Sequence, residues 1–488
     1  MITESSAEFE FHGGRARSAP LAWGQQGTWD VIRHWYPETK PFFVLTRWLP
    51  VPLLLELGDV LEELAELMRR HEALRTLYHA SERGEVTQEV LPGGVVTVDL
   101  YDRPADDPVS FTDIVTTCVE RGTATGFDHE REVPIRFAVA LHEGIPVLVV
   151  FAVSHLSADY LSADLLAAEL NALLRARVDR VPAPPARPAA QPVDLATFER
   201  SPQGQLLNVE AMRHLRQHLD RITPGLLPAR ATPVTPRFHR GELESDAMPV
   251  ALRAAARRHR TTTSVLLLAV SMALLGRFCP GPVLPLDIMQ SNRSTPELFH
   301  TVSSLNQAVR TAVDLPAVTF ADLVERAARV MAQARAYARY DGRAAQQVIA
   351  TAARSRGTDF EPGCQFNDMW STLPRPAGRP VTDPAELDRL AAATTFGWPQ
   401  TADAEGMVVF LDVRGTAERL QLSLMADTAL LPPDDIRAVL FAFERVAIAL
   451  ATGEVTLAGM HAILDGCRTD PAGPGDPARA VSGSPTTR

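Results

Sequence analysis

The sequence predicts an α/β protein (α+β, two layers in each part), built as two lobes that read alike. Three observations point there. Short β-branched runs and longer segments of helical period alternate along the whole chain. Both halves contain both kinds of segment, which favours helices packed on sheets. One proline-rich stretch separates the halves, since residues 180–192 (RVPAPPARPAAQP) carry five prolines in thirteen positions. Such a stretch cannot continue a helix and favours an extended spacer.

In chain order, Leu53–Arg70 places Leu57, Val60, Leu61, Leu64, Leu67 and Met68 on one helical face. Phe137–Leu141 and Pro146–Val153 read as neighbouring strands joined by the turn His142-Glu143-Gly144. The second run is apolar without alternation, as expected of a strand buried on both faces. Leu161–Leu174 reads as a helix. In the second half, Val250–Phe278 is a helical pair split near Thr261–Thr263, with an apolar second member. Met407–Val413 and Leu420–Met425 form another strand pair. The expected organisation is a flexible leader (1–17), an N-terminal lobe (18–180), a linker (181–192), a C-terminal lobe (193–466) and a disordered tail (467–488).

Composition narrows the function classes. Of 488 residues, 46% are apolar and 22% charged, with mean hydropathy −0.03. No apolar run reaches the ~18 residues of a membrane span, and the acidic N-terminus does not resemble a secretory signal. Four scattered cysteines form no CxxC pair, so a reducing, cytoplasmic setting is expected. The net charge of −11 disfavours nucleic acid as a partner. No metal-ligand spacing, nucleotide fingerprint or phosphate loop appears. Lys40 is the sole lysine, which reads as coding bias.

The segment with chemical potential is Val153-Ser154-His155-Leu156-Ser157-Ala158-Asp159-Tyr160-Leu161. A histidine leaves a buried strand into a short loop, and an aspartate follows four residues later, where a helix begins. The strand fixes the histidine backbone and the loop lets its ring reach a cleft. A near-neutral imidazole suits proton acceptance or hydrogen bonding to a nucleophile. The plain alternative is a histidine satisfied by its neighbours and an aspartate that only caps the helix. The spacing alone leaves both open.

Motifs elsewhere add weight. Residues 18–31 (SAPLAWGQQGTWDV) resemble the "PLSxxQxxLW" opening of nonribosomal peptide synthetase condensation domains. Arg70–Thr76 (RHEALRT) matches that family's "RHExLRT". Phe127-Asp128 with Pro134-Ile135-Arg136, Asp194–Arg200, Ile288–Leu298, Leu305-Asn306-Gln307 and Cys364–Asn367 fall in register with further motifs, from about residue 18 to 465. Ser154–Tyr160 (SHLSADY) falls where the family has HHxxxDG.

The resemblance implies two chloramphenicol-acetyltransferase-like lobes meeting in a V, a pseudo-dimer with a central tunnel. His155 would be the catalytic residue. Ser154, Asp159, Tyr160 and Arg293 would shape its loop, with Arg293 pairing with Asp159. Asn306, Gln365, Asn367 and Trp398 become tunnel candidates. Ser154 replaces the first histidine of the motif and Tyr160 its glycine. Thr311 stands where an arginine is expected, with Arg310 one place early. Trp398 lies in Thr395-Phe396-Gly397-Trp398, read as a core aromatic turn. Cys364 is read as buried and inert. Arg69, Arg70 and Arg75 are weighed as contacts for an acidic carrier, Arg75 equally as an internal partner.

The implied function is a free-standing condensation enzyme of natural-product biosynthesis. It would join a carrier-bound acyl or aminoacyl thioester to an amine or hydroxyl. No bound cofactor is expected; substrates would arrive on the phosphopantetheine of separate carrier proteins. Neither nucleic acid nor membrane is expected as a partner. Two alternatives stand: a non-catalytic module that recruits a tailoring enzyme or carrier, and an acyl-CoA-dependent acyltransferase.

Overall fold

The computed structural model describes residues 3–34, 43–103, 110–222, 227–315, 319–357, 359–360, 363–372 and 383–469. The chain forms two compact units. The first comprises Met1–Val209 with Ser291–Gln307 and Arg339–Arg343; the rest forms the second.

The first unit holds a five-stranded sheet made from β1 (Thr3–Phe11), β3 (Val44–Pro50), β6 (Gly94–Arg103), β7 (Ile135–His142) and β8 (Ile145–Ser154), in the order β1-β6-β7-β8-β3. A smaller sheet has the order β2-β5-β4, from β2 (Arg17–Pro20), β4 (Thr76–Ala80) and β5 (Val86–Val90). β6 and β7 are parallel, whereas β8 is antiparallel to both β7 and β3. Its helices include α1 (Trp23–His34), α2 (Leu57–Arg70), α3 (Phe111–Thr123), α4 (Tyr160–Asp179) and α5 (Pro192–Arg200).

β8 explains its own composition. Val149, Phe151 and Val153 enter one core with Leu64 and Leu67 of α2 and Leu166 and Leu170 of α4. Leu148 and Val150 enter a second core with Ile114 and Cys118 of α3. Both faces are covered, so alternation disappears from the sequence. A buried Leu or Val contributes about 1.5–3 kcal/mol relative to its exposed state, which makes β8 a stiff support for the residues that follow it.

The second unit contains a seven-stranded sheet. Its strands are β9 (Phe238–Ser245), β10 (Val283–Gln290), β11 (Gln307–Asp314), β12 (Cys364–Asp368), β13 (Thr395–Ala402), β14 (Val409–Gly415) and β15 (Leu420–Asp427), in the order β11-β10-β12-β14-β15-β9-β13. The split helical pair is present as residues 247–258 and 263–275, and Thr262 caps the second helix by accepting from Val265 N–H. That second helix is buried on all sides, as its unbroken apolar sequence requires. Among the described residues no single helix is long and apolar enough to cross a membrane.

Four expectations need correction. Thr3–Phe11, read as leader, is an antiparallel partner of β6, with Phe9 and Phe11 in the core. The proline-rich stretch is not the boundary, because chain on both sides of it belongs to the first unit. Proline lacks an N–H but keeps its carbonyl, and Pro184 O accepts from Arg70 Nη2 at 2.8 Å. The helix Leu457–Thr469 runs past residue 467 with Cys467 buried, and 470–488 lie outside the described residues. Thr395–Trp398 is not a core turn: it lies in β13, an edge strand, and Trp398 is exposed.

Candidate active-site loop

The site is built at the end of β8. Ser154, the last residue of the strand, donates its N–H to Pro134 O at 2.9 Å. His155 donates its N–H to Phe43 O at 2.7 Å, which continues the pairing with β3 by one residue. Its half-buried ring lies 6.3 Å from the Phe43 ring and meets the Tyr160 ring edge-on at 6.1 Å.

The turn then closes on itself. Ser154 O accepts from Ser157 and Ala158 N–H at 3.0 and 3.1 Å, and Ser154 Oγ accepts from Leu156 N–H at 3.2 Å. Asp159 N–H reaches Ser303 O at 3.3 Å. The amides from Leu156 to Asp159 are therefore committed to internal acceptors. This argues against the 157–159 amides as donors to an oxyanion. Tyr160 and Leu161 open α4, where backbone N–H groups have no intrahelical acceptor.

Asp159 does two jobs. Its Oδ1 caps α4 by accepting from Ser162 N–H at 2.8 Å. Both oxygens also accept from Arg293, at 2.7 Å from Nη1 and 2.8 Å from Nη2. The pair is almost fully buried, with 2% and 6% of the two side chains exposed. Arg293 reaches Thr301 O and Ser162 Oγ as well, and Ser162 Oγ donates to Ser303 O. The two-pronged fit is what a planar guanidinium offers a carboxylate.

Tyr160 is held from outside. The Arg47 guanidinium lies 5.7 Å from its ring centroid and is bound by Asp164 at 2.6 Å. Ser154 Oγ is also within 2.7 Å of His129 Nε2. Ser157 Oγ meets the Tyr78 hydroxyl at 2.7 Å, and burial pushes that phenol up to about 12. His129, Tyr78 and Ser162 are functional partners that belong to no local motif. Nothing local marks them; His129 lies 25 residues from Ser154.

The remaining candidates fall in two places. Asn306 belongs to the first unit, as does His155; Gln365, Asn367 and Trp398 belong to the second. Asn367 Nδ2 donates to Asp412 at 3.0 Å. Arg310 pairs with Asp287 at 2.8 Å, and buried Thr311 donates to Leu286 O. Cys364 is fully buried and burial pushes its thiol up.

RHEALRT is a structural clasp. Arg70 bridges Glu66 and Glu169, and His71 also meets Glu169, at 2.7 Å. Burial would raise the Glu169 carboxyl, but His71 and Arg70 outweigh it and hold it at about 2. Arg75 is buried and donates to Leu91 O. Arg69 is the exposed member and is paired with Glu66. Arg70 and Arg75 are thus internal partners and do not present free charge to a carrier.

Each unit has a main sheet with helices packed on it, and the first carries a histidine on a clamped strand-to-helix loop. The family model for the condensation domain matches residues 19–373. The chain belongs to that family, the condensation domains of nonribosomal peptide synthesis, and has its chloramphenicol-acetyltransferase-like α/β fold.

Chondramide synthase of Chondromyces crocatus is 25% identical over 260 residues, 52% of this chain and only 6% of that protein. The X-domain from teicoplanin biosynthesis matches with a TM-score of 0.63 at 20% identity, covering 92% of this chain and 98% of that one. The first condensation domain of the calcium-dependent antibiotic synthetase matches with a TM-score of 0.66 at 16% identity, covering 90% and 98%. The starter condensation domain of rhizomide synthetase, solved with C8-CoA, matches with a TM-score of 0.65 at 14% identity, covering 90% and 96%.

Proposed function

We propose that this chain is a condensation enzyme that joins an acyl or aminoacyl thioester, presented on a carrier protein, to an amine or hydroxyl acceptor at His155. The observation that carries the reading is the clamped loop. His155 has its backbone fixed by Phe43 O, and the far end of its loop is gripped by the buried Asp159–Arg293 pair. Holding a histidine in one place is the requirement for general-base or positioning chemistry. His155 takes the acceptor's proton as nitrogen or oxygen attacks the thioester carbonyl; the C–S bond then breaks and the carrier leaves as a thiolate that receives the proton back from the imidazolium. The Leu161 amide at the start of α4 is the candidate to stabilise the oxyanion. Asn306, in the same unit as His155, is proposed to line the substrate path.

One observation favours a second reading, a recruiting module without catalysis. The Tyr160 ring stands beside His155 where the family motif has glycine. The X-domain from teicoplanin biosynthesis, solved in complex with OxyB, has a similar fold. The experiment offers a panel of acyl groups on phosphopantetheinylated carrier and on CoA, with amines and alcohols, and identifies products by mass spectrometry. Products from carrier donors support the condensation enzyme. Products from CoA donors alone move the reading to a CoA-dependent acyltransferase. No product, together with measurable binding of a carrier or partner enzyme, replaces it with recruitment.

A further inference from the structure

The Asp159–Arg293 pair secures one end of the His155 loop; the other end is secured by a second imidazole. His129 Nε2 lies 2.7 Å from Ser154 Oγ, and Ser154 directly precedes His155. Ser154 is buried, so its hydroxyl is not open to substrate. The same Oγ accepts Leu156 N–H at 3.2 Å, and so braces the chain on both sides of His155.

His129 is itself well held. Its carbonyl accepts Tyr78 N–H at 2.8 Å. The rings of Tyr78, Phe127 and Trp29 lie 5.9, 6.1 and 6.2 Å from its own. Tyr78 in turn meets Ser157 of the loop. A ring packed among three aromatics has little rotational freedom, so it can fix the hydroxyl it bonds.

We propose that His129 is a positioning residue for His155, acting through Ser154. The imidazole that the motif carries at position 154 is supplied here from position 129, with serine as the link. The inference rests on the reading of His155 given above. It makes Ser154 part of a relocated contact, so the altered motif does not signal a decayed site. Outer partners that orient a metal-bound histidine typically change affinity or activity by roughly 10–100-fold when removed, and an effect of that order is expected for an imidazole oriented here.

The test uses His129→Ala, His129→Gln and the double variant His129→Ala/Ser154→His in the full chain. Single-turnover rate and KM are measured with the substrates found above. The His155 imidazole is titrated by NMR on histidine-labelled protein, its signal assigned from His155→Ala. The account predicts a roughly 10–100-fold lower rate for His129→Ala with KM unchanged, and a moved His155 titration. His129→Gln, which keeps a polar atom within reach of Ser154, and the double variant, which returns an imidazole to position 154, recover most of the rate. A wild-type rate and an unmoved titration in His129→Ala overturn the proposal. So does a loss that neither rescue variant reverses. If His155→Ala leaves turnover intact, the reading of His155 fails instead, and the titration still decides whether His129 positions that ring.

Discussion

Arg293 reaches across 134 residues of sequence to hold Asp159 by two hydrogen bonds of 2.7 and 2.8 Å, inside the protein and at the start of α4. The pair joins the loop after β8 to the 291–307 segment within the first unit. Its chemistry favours arginine, because lysine cannot reproduce the two-pronged geometry.

Removing one member leaves the other charge buried and unpaired. Arg293→Ala should therefore destabilise the first unit by about 3–5 kcal/mol. Arg293→Lys should recover only part of that and should lower turnover while the protein remains folded. Urea unfolding with parallel rate measurements checks both. Full activity in Arg293→Lys would show that loop placement does not depend on the two-pronged contact.

Glu199 of α5 gives a pH dependence of definite sign. It is buried, accepts Trp23 N–H at 2.7 Å and lies 3.5 Å from Arg339. Burial raises its carboxyl to about 7; Trp23 and Arg339 oppose this without cancelling it. The folded state thus holds the proton more tightly than the unfolded state, whose value is near 4.5. The contribution is complete below about pH 4.5 and is lost as pH rises through 7. From ~1.4 kcal/mol per unit, the change is about 3 kcal/mol. Glu199→Gln should remove this slope from the stability–pH curve and be more stable than wild type at pH 8.

Gly24 tests how closely α1 sits on the 301–307 segment. A Cβ there would collide with Ser304 O, and Thr28 Oγ1 meets Ser304 Oγ at 2.7 Å one turn further on. Gly24→Ala should cost about 1–3 kcal/mol, as overpacking does, despite alanine's better helix propensity. A stabilised variant in denaturant unfolding would contradict that approach.

Much of this was legible in the sequence, for a physical reason. β8 is apolar on both faces and the helical pair breaks near Thr262, so both show as local pattern; the clasp built by RHEALRT does not, because Glu169 lies 99 residues from Arg70. The misreadings share a cause too. Thr3–Phe11 buries only Phe9 and Phe11, and its strand character comes from pairing with β6 about ninety residues away. Tertiary contact alone brings His129 to Ser154 and Glu199 to α1. Local pattern does not contain such contacts.

Tyr160 should act on scope. Its ring meets His155 edge-on and is backed by Arg47. Tyr160→Gly opens that side at a helix-start cost of roughly 0.5–1 kcal/mol. The expected outcome is faster turnover of bulky substrates with little change for small ones, measured as kcat/KM across a size series. Equal loss across the series would show that the tyrosine contributes to the chemistry itself.

The central claim is that His155, on a loop clamped at both ends, carries a condensation reaction. Its most direct test is the single-turnover rate of His155→Ala against wild type, with a carrier-bound donor and a competent acceptor, in protein shown to be folded. The account predicts a loss of ~10²–10⁴-fold, the range for removal of a general base. A loss below about tenfold would contradict it and leave the loop a structural or recruiting feature.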